Sequence, residues 1–313
     1  MNKSPAFDAF SSVTVGVADM DVARLLWVDT FGMEVVADRQ GPDAGIARLW
    51  GIEADDIAQQ LLLRTGNSRY GMLHLVEFES PDPPVRRGAA VFDQCPKNLD
   101  IYVDDLPKRV AELKAAGRSF RNDNYSEVTA PNGITFREIH MPAHDDINVV
   151  LLQVIGRDYP FSAQGYAAVG PLITIVGDAD AEKQFYQDVF GLQILSDNVL
   201  AGPEIERMVG LPPGAALDVS IWGREDQPMG QMELIDYRGV DGNNLYPLAK
   251  PKALGILHIT YVTDDLLSFK AHLDGLGIGW SSYGRVDTLM DSGEAISVVS
   301  PAGLRIDVQE RNN

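Results

Sequence analysis

The stretch VTVGVADMDVARLLWVDTFGMEVVAD, residues 13–38, decides the fold because the chain repeats it. Residues 172–197 read LITIVGDADAEKQFYQDVFGLQILSD. At an offset of 159, Val17, Asp19, Asp21, Asp29, Phe31, Gly32 and Asp38 recur as Val176, Asp178, Asp180, Asp188, Phe190, Gly191 and Asp197. The same offset carries Arg48 to Arg207, Gly51 to Gly210 and Gly71 to Gly230, so the register holds without a gap from residue 13 to 78. A second pair, LDIYVDDLPKRVAELKAAG (99–117) and ITYVTDDLLSFKAHLDGLG (259–277), aligns at an offset of 160. Self-similarity at a long fixed spacing marks repeated supersecondary units. There are four, in which unit 1 resembles unit 3 and unit 2 resembles unit 4.

The units share a local grammar. A β-rich run (SVTVGV, LDIYV, PLITIV, LHITYV) is followed by an Asp suited to cap a helix. A stretch of helical period follows and ends at Gly32, Gly117, Gly191 or Gly277. Short strands separated by polar and Gly/Pro turns complete each unit. The pattern predicts an α+β fold of four βαβββ modules. They form two paired, curled, mixed β-sheets with flanking helices. The expected domains are 8–155 (modules 8–79 and 97–155) and 168–310 (modules 168–237 and 255–310), meeting near GRDYPFSAQGYAA, residues 156–168.

Composition bounds the function. The 313 residues suit two domains, and 45% hydrophobic with 23% charged residues is ordinary for a soluble globular protein. A net charge of −19 argues against nucleic acid or an anionic membrane as partner. One cysteine, Cys95, precludes an intrachain disulfide and points to a reducing compartment. MNKSPAFDAFSS has no apolar leader core, and no run reaches the length of a membrane span. A cytoplasmic protein acting on a small molecule is expected, and a homodimer is compatible with the sequence. Phosphate-binding glycine loops, nucleophile elbows and C-x-x-C pairs do not occur.

With DTFGMEV and DVFGLQI after the first helix of each half, a V-x-D end to the first strand, and the closing SPAGLRIDVQE (300–310), the chain resembles the vicinal oxygen chelate superfamily. That superfamily includes glyoxalase I, extradiol ring-cleaving dioxygenases, fosfomycin-resistance enzymes and bleomycin-binding proteins. The resemblance covers nearly the whole chain and implies two units paired around each cavity. It also implies metal ligands on the first and last strands of each unit. First-strand positions fall at Val13, Asn98, Leu172 and His258, and last-strand positions at His74, Leu151, Glu233 and Asp307. Leu151 is placed there by matching Gln153 to Gln309.

The pairing of units then decides the donor set. Sequential pairing leaves the first half with Val13, His74, Asn98 and Leu151, and gives the second half Leu172, Glu233, His258 and Asp307. Pairing units 1 and 4 gives Val13, His74, His258 and Asp307, two imidazoles and a carboxylate that suit non-haem iron. One His with two carboxylates suits zinc, manganese or nickel. The resemblance thus implies an enzyme of dioxygenase, lyase or isomerase type holding a divalent metal (Fe, Mn, Zn or Ni) on His258 and Asp307 with His74 or Glu233. The expected substrate is a small oxygen-bearing molecule, aromatic or carboxylated. Glu233 and Arg305 are the expected catalytic residues. Arg305 shares a face with Asp307, and either clamps a substrate carboxylate or pairs with Asp307 or Glu233.

Plainer readings stand beside these. His74 in GMLHLVEF is a satisfied buried histidine as readily as a ligand. His140 and His144 in REIHMPAHDD read as a solvated loop, and His272 as helix surface. Asp100 and Tyr102 share a strand face, expected to pack on a helix. The alternative function is a metal-free protein that binds or sequesters a small apolar ligand, or uses Glu233 or Asp307 as an acid–base group without metal.

Overall fold

Each module starts with a strand whose side chains alternate between two buried environments, and a helix that an Asp side chain starts. Module 1 contains β1 (Ser12–Val17), α1 (Met20–Arg24, continued by a π-helical turn over Leu25–Thr30), β2 (Glu34–Gln40), α2 (Ala44–Trp50), β3 (Ile57–Arg64) and β4 (Met72–Phe78). The short strand β5 (Asp82–Pro84) lies in the linker. Module 2 is β6 (Pro96–Val103), α3 (Leu106–Ala115), β7 (Ser126–Thr129), β8 (Thr135–Pro142) and β9 (Asn148–Val154). Module 3 is β10 (Tyr166–Ile175), α4 (Ala179–Phe190), β11 (Gln193–Ala201), α5 (Pro203–Val209), β12 (Ala216–Arg224) and β13 (Gln227–Arg238). Module 4 is β14 (Ala253–Thr263), α6 (Leu266–Leu276), β15 (Ser281–Asp287), β16 (Ser292–Val299) and β17 (Arg305–Glu310). This computed structural model describes residues 7–312. The first half of the stretch read as lacking a leader lies outside them.

The four Asp caps form as the sequence predicts. Asp19, Asp105, Asp178 and Asp265 accept backbone N–H groups of the first turn of α1, α3, α4 and α6. The short helices α2 and α5 add to the expected pattern. The repeated glycines Gly51 and Gly210 are their left-handed C-caps, at φ 70° and 84°.

Two mixed sheets result. The first runs β15-β16-β17-β14-β1-β4-β3-β2 and the second β11-β12-β13-β10-β6-β9-β8-β7. Within a module the first strand is parallel to the last, as β1 is to β4 and β14 to β17. Antiparallel pairs β1–β14 and β10–β6 join the modules. Modules 1 and 4 therefore share one sheet, and modules 2 and 3 the other. Each sheet takes one module from each half of the duplicated chain, so the sheets do not follow the boundary near 156–168.

One face of each sheet looks into a shared core with the helices. Val13, Val15, Leu73, Leu75, Leu99, Ile101, Val149, Leu151 and Leu172 lie there. The opposite faces curl into two cups, one for each sheet. The sheets meet at the repeated glycines Gly71 and Gly230, both at positive φ (64° and 74°). Gly71 N–H donates to the Phe10 carbonyl at 3.1 Å, Val169 N–H donates to that of Gly71 at 3.0 Å, and Phe10 N–H donates to that of Gly230 at 2.8 Å. A Cβ on Gly71 would run into the Val169 carbonyl, and one on Gly230 into that of Phe10. Glycine recurs here because two sheets cross backbone to backbone.

Candidate functional site

Strand alternation fixes which residues enter the cups. In the first sheet Thr14 pairs with both His74 and His258, and Thr260 pairs with Asp307. In the second, Ile173 pairs with both Asn98 and Glu233, and Asp100 pairs with Val150. The positions expected to face a ligand at Val13, Leu151 and Leu172 are thus one residue off. Thr14, Val150 and Ile173 stand there instead, and the three expected residues lie in the shared core. The cause is the starting point of the count: Asp19 and Asp178 are themselves the helix caps, whereas Asp104 and Asp264 stand one residue before the caps Asp105 and Asp265, so the same count of six lands on the opposite face in modules 1 and 3. The match of Gln153 to Gln309 fails for a related reason: Gln309 pairs with Val262, whereas the residue paired with Tyr102 is Leu152.

The first cup brings His74, His258 and Asp307 together, but it is filled. Trp50, at the end of α2, sits between the histidines, its ring 5.8 Å from that of His74 and 5.0 Å from that of His258. Its indole N–H donates to Asp307 Oδ2 at 3.2 Å. Arg305 Nε donates to Asp307 Oδ1 at 2.8 Å, and the same guanidinium caps the Leu49 carbonyl at 2.6 Å. Arg305 therefore pairs with Asp307 instead of reaching for a substrate. The space left beside Trp50, His74 and Asp307 is about 20 Å³.

His74 is held on both sides. Gln60 Nε2 donates to Asp43 at 2.8 Å, so Gln60 Oε1 accepts from His74 Nε2 at 3.0 Å. His74 Nδ1 then accepts from the Thr14 hydroxyl at 3.4 Å. Burial lowers the pKa of His74 to about 4, keeping it neutral. His258 is buried too, with its pKa well below the usual value, and among the described residues neither ring nitrogen has a hydrogen-bond partner. Its Nε2 lies 3.4 Å from Asp307 Oδ2.

The expected metal set does not fit this arrangement. His74 has both nitrogens engaged, an indole separates the imidazoles, and Asp307 is committed to Trp50 and Arg305. Glu233 belongs to the other sheet and cannot complete a set with His258. In the second cup the corresponding positions are Ile173, Val150, Asn98 and Glu233, with a single strong donor among them. Among the described residues no group of three or more His, Cys, Asp or Glu is placed to hold a metal ion.

The second cup is open. Its cavity is about 420 Å³, with a polar floor and an apolar wall that includes Phe136, Leu217 and Val219. Asn98, Asp100 and Tyr102 line it from β6 instead of packing on a helix, and Tyr102 stacks on Tyr159 at 4.0 Å. His140 also lies there, buried on strand β8 and not on a solvated loop. Its Nε2 is 2.7 Å from Glu138 Oε1, and its Nδ1 is 3.1 Å from Asn148 Nδ2, which also donates to Asn98 Oδ1 at 2.9 Å. Its neighbour on the expected loop, His144, is pinned by the Trp27 indole at 2.7 Å and Asp145 at 2.8 Å. His272 reaches the Asp188 carbonyl at 2.7 Å.

Electrostatically the floor is crowded. Burial, then the charges of Glu233 and Glu138, raise the pKa of Asp100 well above the carboxylate range, and its Oδ1 has no hydrogen-bond partner among the described residues. Glu233 is raised for the same reason: burial first, then Glu138. Lys97, buried on β6, donates to the Tyr237 hydroxyl at 2.9 Å. Burial and the nearby Arg86 and Arg121 lower its pKa to about 7. Sequence reading missed Lys97 and Glu138. The i, i+2 pair Glu138 and His140 on one strand face was available as a signal for the latter; for Lys97 none was, because a bulge sets its direction.

Solved structures match the whole architecture. Maize glyoxalase I is 14% identical, with a TM-score of 0.63, over 97% of this chain and 92% of that one. A Bacillus subtilis protein proposed to be a dioxygenase is 11% identical, with a TM-score of 0.62, over 99% of this chain and 87% of that one. The fold is that of the vicinal oxygen chelate superfamily. At these identities the likeness carries the fold of the superfamily and leaves the reaction to the site. No protein-family model and no curated protein matches the chain. Among the described residues no helix is long and apolar enough to cross a membrane.

Proposed function

We propose that the chain is a small-molecule enzyme of the vicinal oxygen chelate fold whose working site is the cup of modules 2 and 3. The observation that carries this reading is the pair Asp100 and Glu233, two carboxylates held in their neutral forms on the floor of an open 420 Å³ cavity. Natural chains rarely leave such groups facing empty space unless they act on something there. The ligand that fits is a neutral, oxygen-bearing molecule with an apolar or aromatic body. Its body lies against the wall formed by Phe136, Leu217 and Val219, and its hydroxyl or carbonyl meets the floor. A carboxylated ligand would add a negative charge beside that of Glu138 and against two neutral carboxyls that burial already keeps from ionising.

The chemistry is proton transfer of isomerase or lyase type. A carboxyl whose pKa is raised toward neutrality is matched to giving and taking a proton in that range. Glu233 is the acid–base group, and Asp100 shares its proton field. Tyr102 and Tyr159 provide a stacking wall at one side.

Saturation-transfer NMR with small phenols, ketones and aromatic alcohols tests the reading. Binding is expected in the wild type, and loss of binding in Val209→Trp, which closes the second cup. Binding unchanged by Val209→Trp would refute the site. Elemental analysis of untagged wild type and His258→Ala tests the competing location. Near-equimolar metal in the wild type that is lost in the variant would return the function to the first cup.

A further inference from the structure

The bulge at each module junction selects one side chain for the cup below it. In the first sheet Thr14 pairs with His258 and Val15 with Ile256, which leaves Leu257 as the extra residue. In the second, Ile173 pairs with Asn98 and Thr174 with Pro96, which leaves Lys97 as the extra residue. The two are counterparts at the repeat offset of 160. Leu257 packs into the filled cup beside Trp50. Lys97 lines the open one. Bulges re-aim side chains, and where the cup is only a core the residue re-aimed is apolar. An amine in that place in the open cup invites a chemical reason.

Lys97 has the setting of a nucleophile. Its Nζ donates to Tyr237 OH at 2.9 Å and lies 5.3 Å from that ring's centroid, which holds the amine in one place. Facing it are Glu138 and His140 on β8, Asp100 on its own strand and Glu233 on β13, with Arg86, Cys95 and Arg121 behind. Burial and the two guanidinium groups disfavour its ammonium form, so a large share of it is free amine at neutral pH. Two neutral carboxyls stand on the same floor as proton donors.

We propose that Lys97 captures an aldehyde or ketone in the second cup as an imine. The proposal rests on the reading of that cup as the working site. The Nζ lone pair adds to the carbonyl carbon, and the C–O π pair moves to oxygen, which takes a proton from Asp100 or Glu233. The carbinolamine nitrogen gives a proton to the resulting carboxylate, which passes it to the hydroxyl; water leaves, a protonated C=N bond remains, and its N–H proton returns to the carboxylate to restore the carboxyl. One amine and one carbonyl give one imine and one water, with no change of oxidation state.

Benzaldehyde with sodium cyanoborohydride at pH 7, applied to the full chain and read by peptide mapping, tests this. Benzyl alcohol, similar in size and lacking the carbonyl, is the binding control in saturation-transfer NMR. The expected result is one reduced adduct on Lys97, formed at least about tenfold faster than on any other lysine, given its far larger free-amine fraction at pH 7. Excess benzyl alcohol, Val209→Trp and Lys97→Met should each suppress it. If Lys97→Met does not fold, the wild-type map decides alone. Labelling spread evenly over surface lysines overturns the proposal, as does Lys97 labelling unaffected by Val209→Trp. Benzyl alcohol bound in the cup with Lys97 unlabelled sinks the imine and leaves the site; neither binding nor labelling sinks both.

Discussion

Trp50 and Val209 end the equivalent helices α2 and α5 and stand over the two cups at the same place in the repeat. The indole packs between His74 and His258 and leaves about 20 Å³, whereas Val209 borders a cavity of about 420 Å³. One residue pair thus separates a cup used as core from a cup that can admit a ligand. Trp50→Val should cost about 3 kcal/mol through the void and the lost bond to Asp307, leaving ligand binding intact. Val209→Trp should cost about 1–3 kcal/mol by overpacking and abolish binding. Urea unfolding together with ligand-observed NMR reads both. A Trp50→Val protein that lost binding while staying folded would contradict the division.

Acid should weaken the fold through its buried imidazoles. Burial lowers the pKa of His74 from the ordinary 6.5 to about 4, and His140 and His258 are shifted the same way. The unfolded chain therefore binds more protons than the folded one between those values. Stability is fully present above about pH 6.5 and falls as pH drops toward 4, by on the order of 3 kcal/mol for His74 alone. In His74→Met the urea midpoint should fall less steeply across this window, although the variant starts lower at pH 7 because Gln60 and Thr14 lose their partner. A slope equal to that of the wild type would show that His74 does not titrate in this range.

Much of the fold was legible because a duplication writes each structural demand twice. Asp19 and Asp178 recur as helix caps, Gly51 and Gly210 as helix ends, and Gly71 and Gly230 as the crossing of the sheets. The site was less legible, for two physical reasons. Ligand-facing positions were counted from the strand-ending Asp, which is the helix cap at Asp19 and Asp178 but stands one residue before the cap at Asp104 and Asp264, so the same count puts Val13 and Leu172 on the opposite face. Which modules share a sheet depends on contacts between distant segments, and that separated Glu233 from His258. Lys97 was invisible, since nothing local in CPKNLD tells a buried bulge residue from a surface lysine at a strand entrance.

The glycine crossing makes a stability prediction that composition would not. Gly71 and Gly230 have positive φ, and an added Cβ at either would strike a backbone carbonyl of a neighbouring segment. Backbone has no rotamer with which to give way. Gly71→Ala should therefore cost about 3 kcal/mol or more, from left-handed strain plus the clash. Gly41→Ala, also at positive φ but with open space around it, should cost about 1–2 kcal/mol. Thermal unfolding of the two variants compares them directly. Equal losses would mean that the strain alone, and not the crossing of the sheets, sets the requirement for glycine.

Glu233→Gln separates the stability of the second cup from its chemistry. In the folded chain Glu233 keeps its proton above the ordinary carboxylate value, because burial and the charge of Glu138 oppose ionisation. The folded state therefore binds more protons than the unfolded one, and stability falls as pH rises through the raised value. Glutamine stays neutral at every pH, so the variant should lose about 1–3 kcal/mol less than the wild type between pH 6 and 9. It should also slow labelling of Lys97 by benzaldehyde, because one of the two proton donors to the carbinolamine oxygen is gone, while benzyl alcohol still binds. A variant that gains stability at pH 9 but labels Lys97 at the wild-type rate would remove Glu233 from the chemistry and leave Asp100 as the donor.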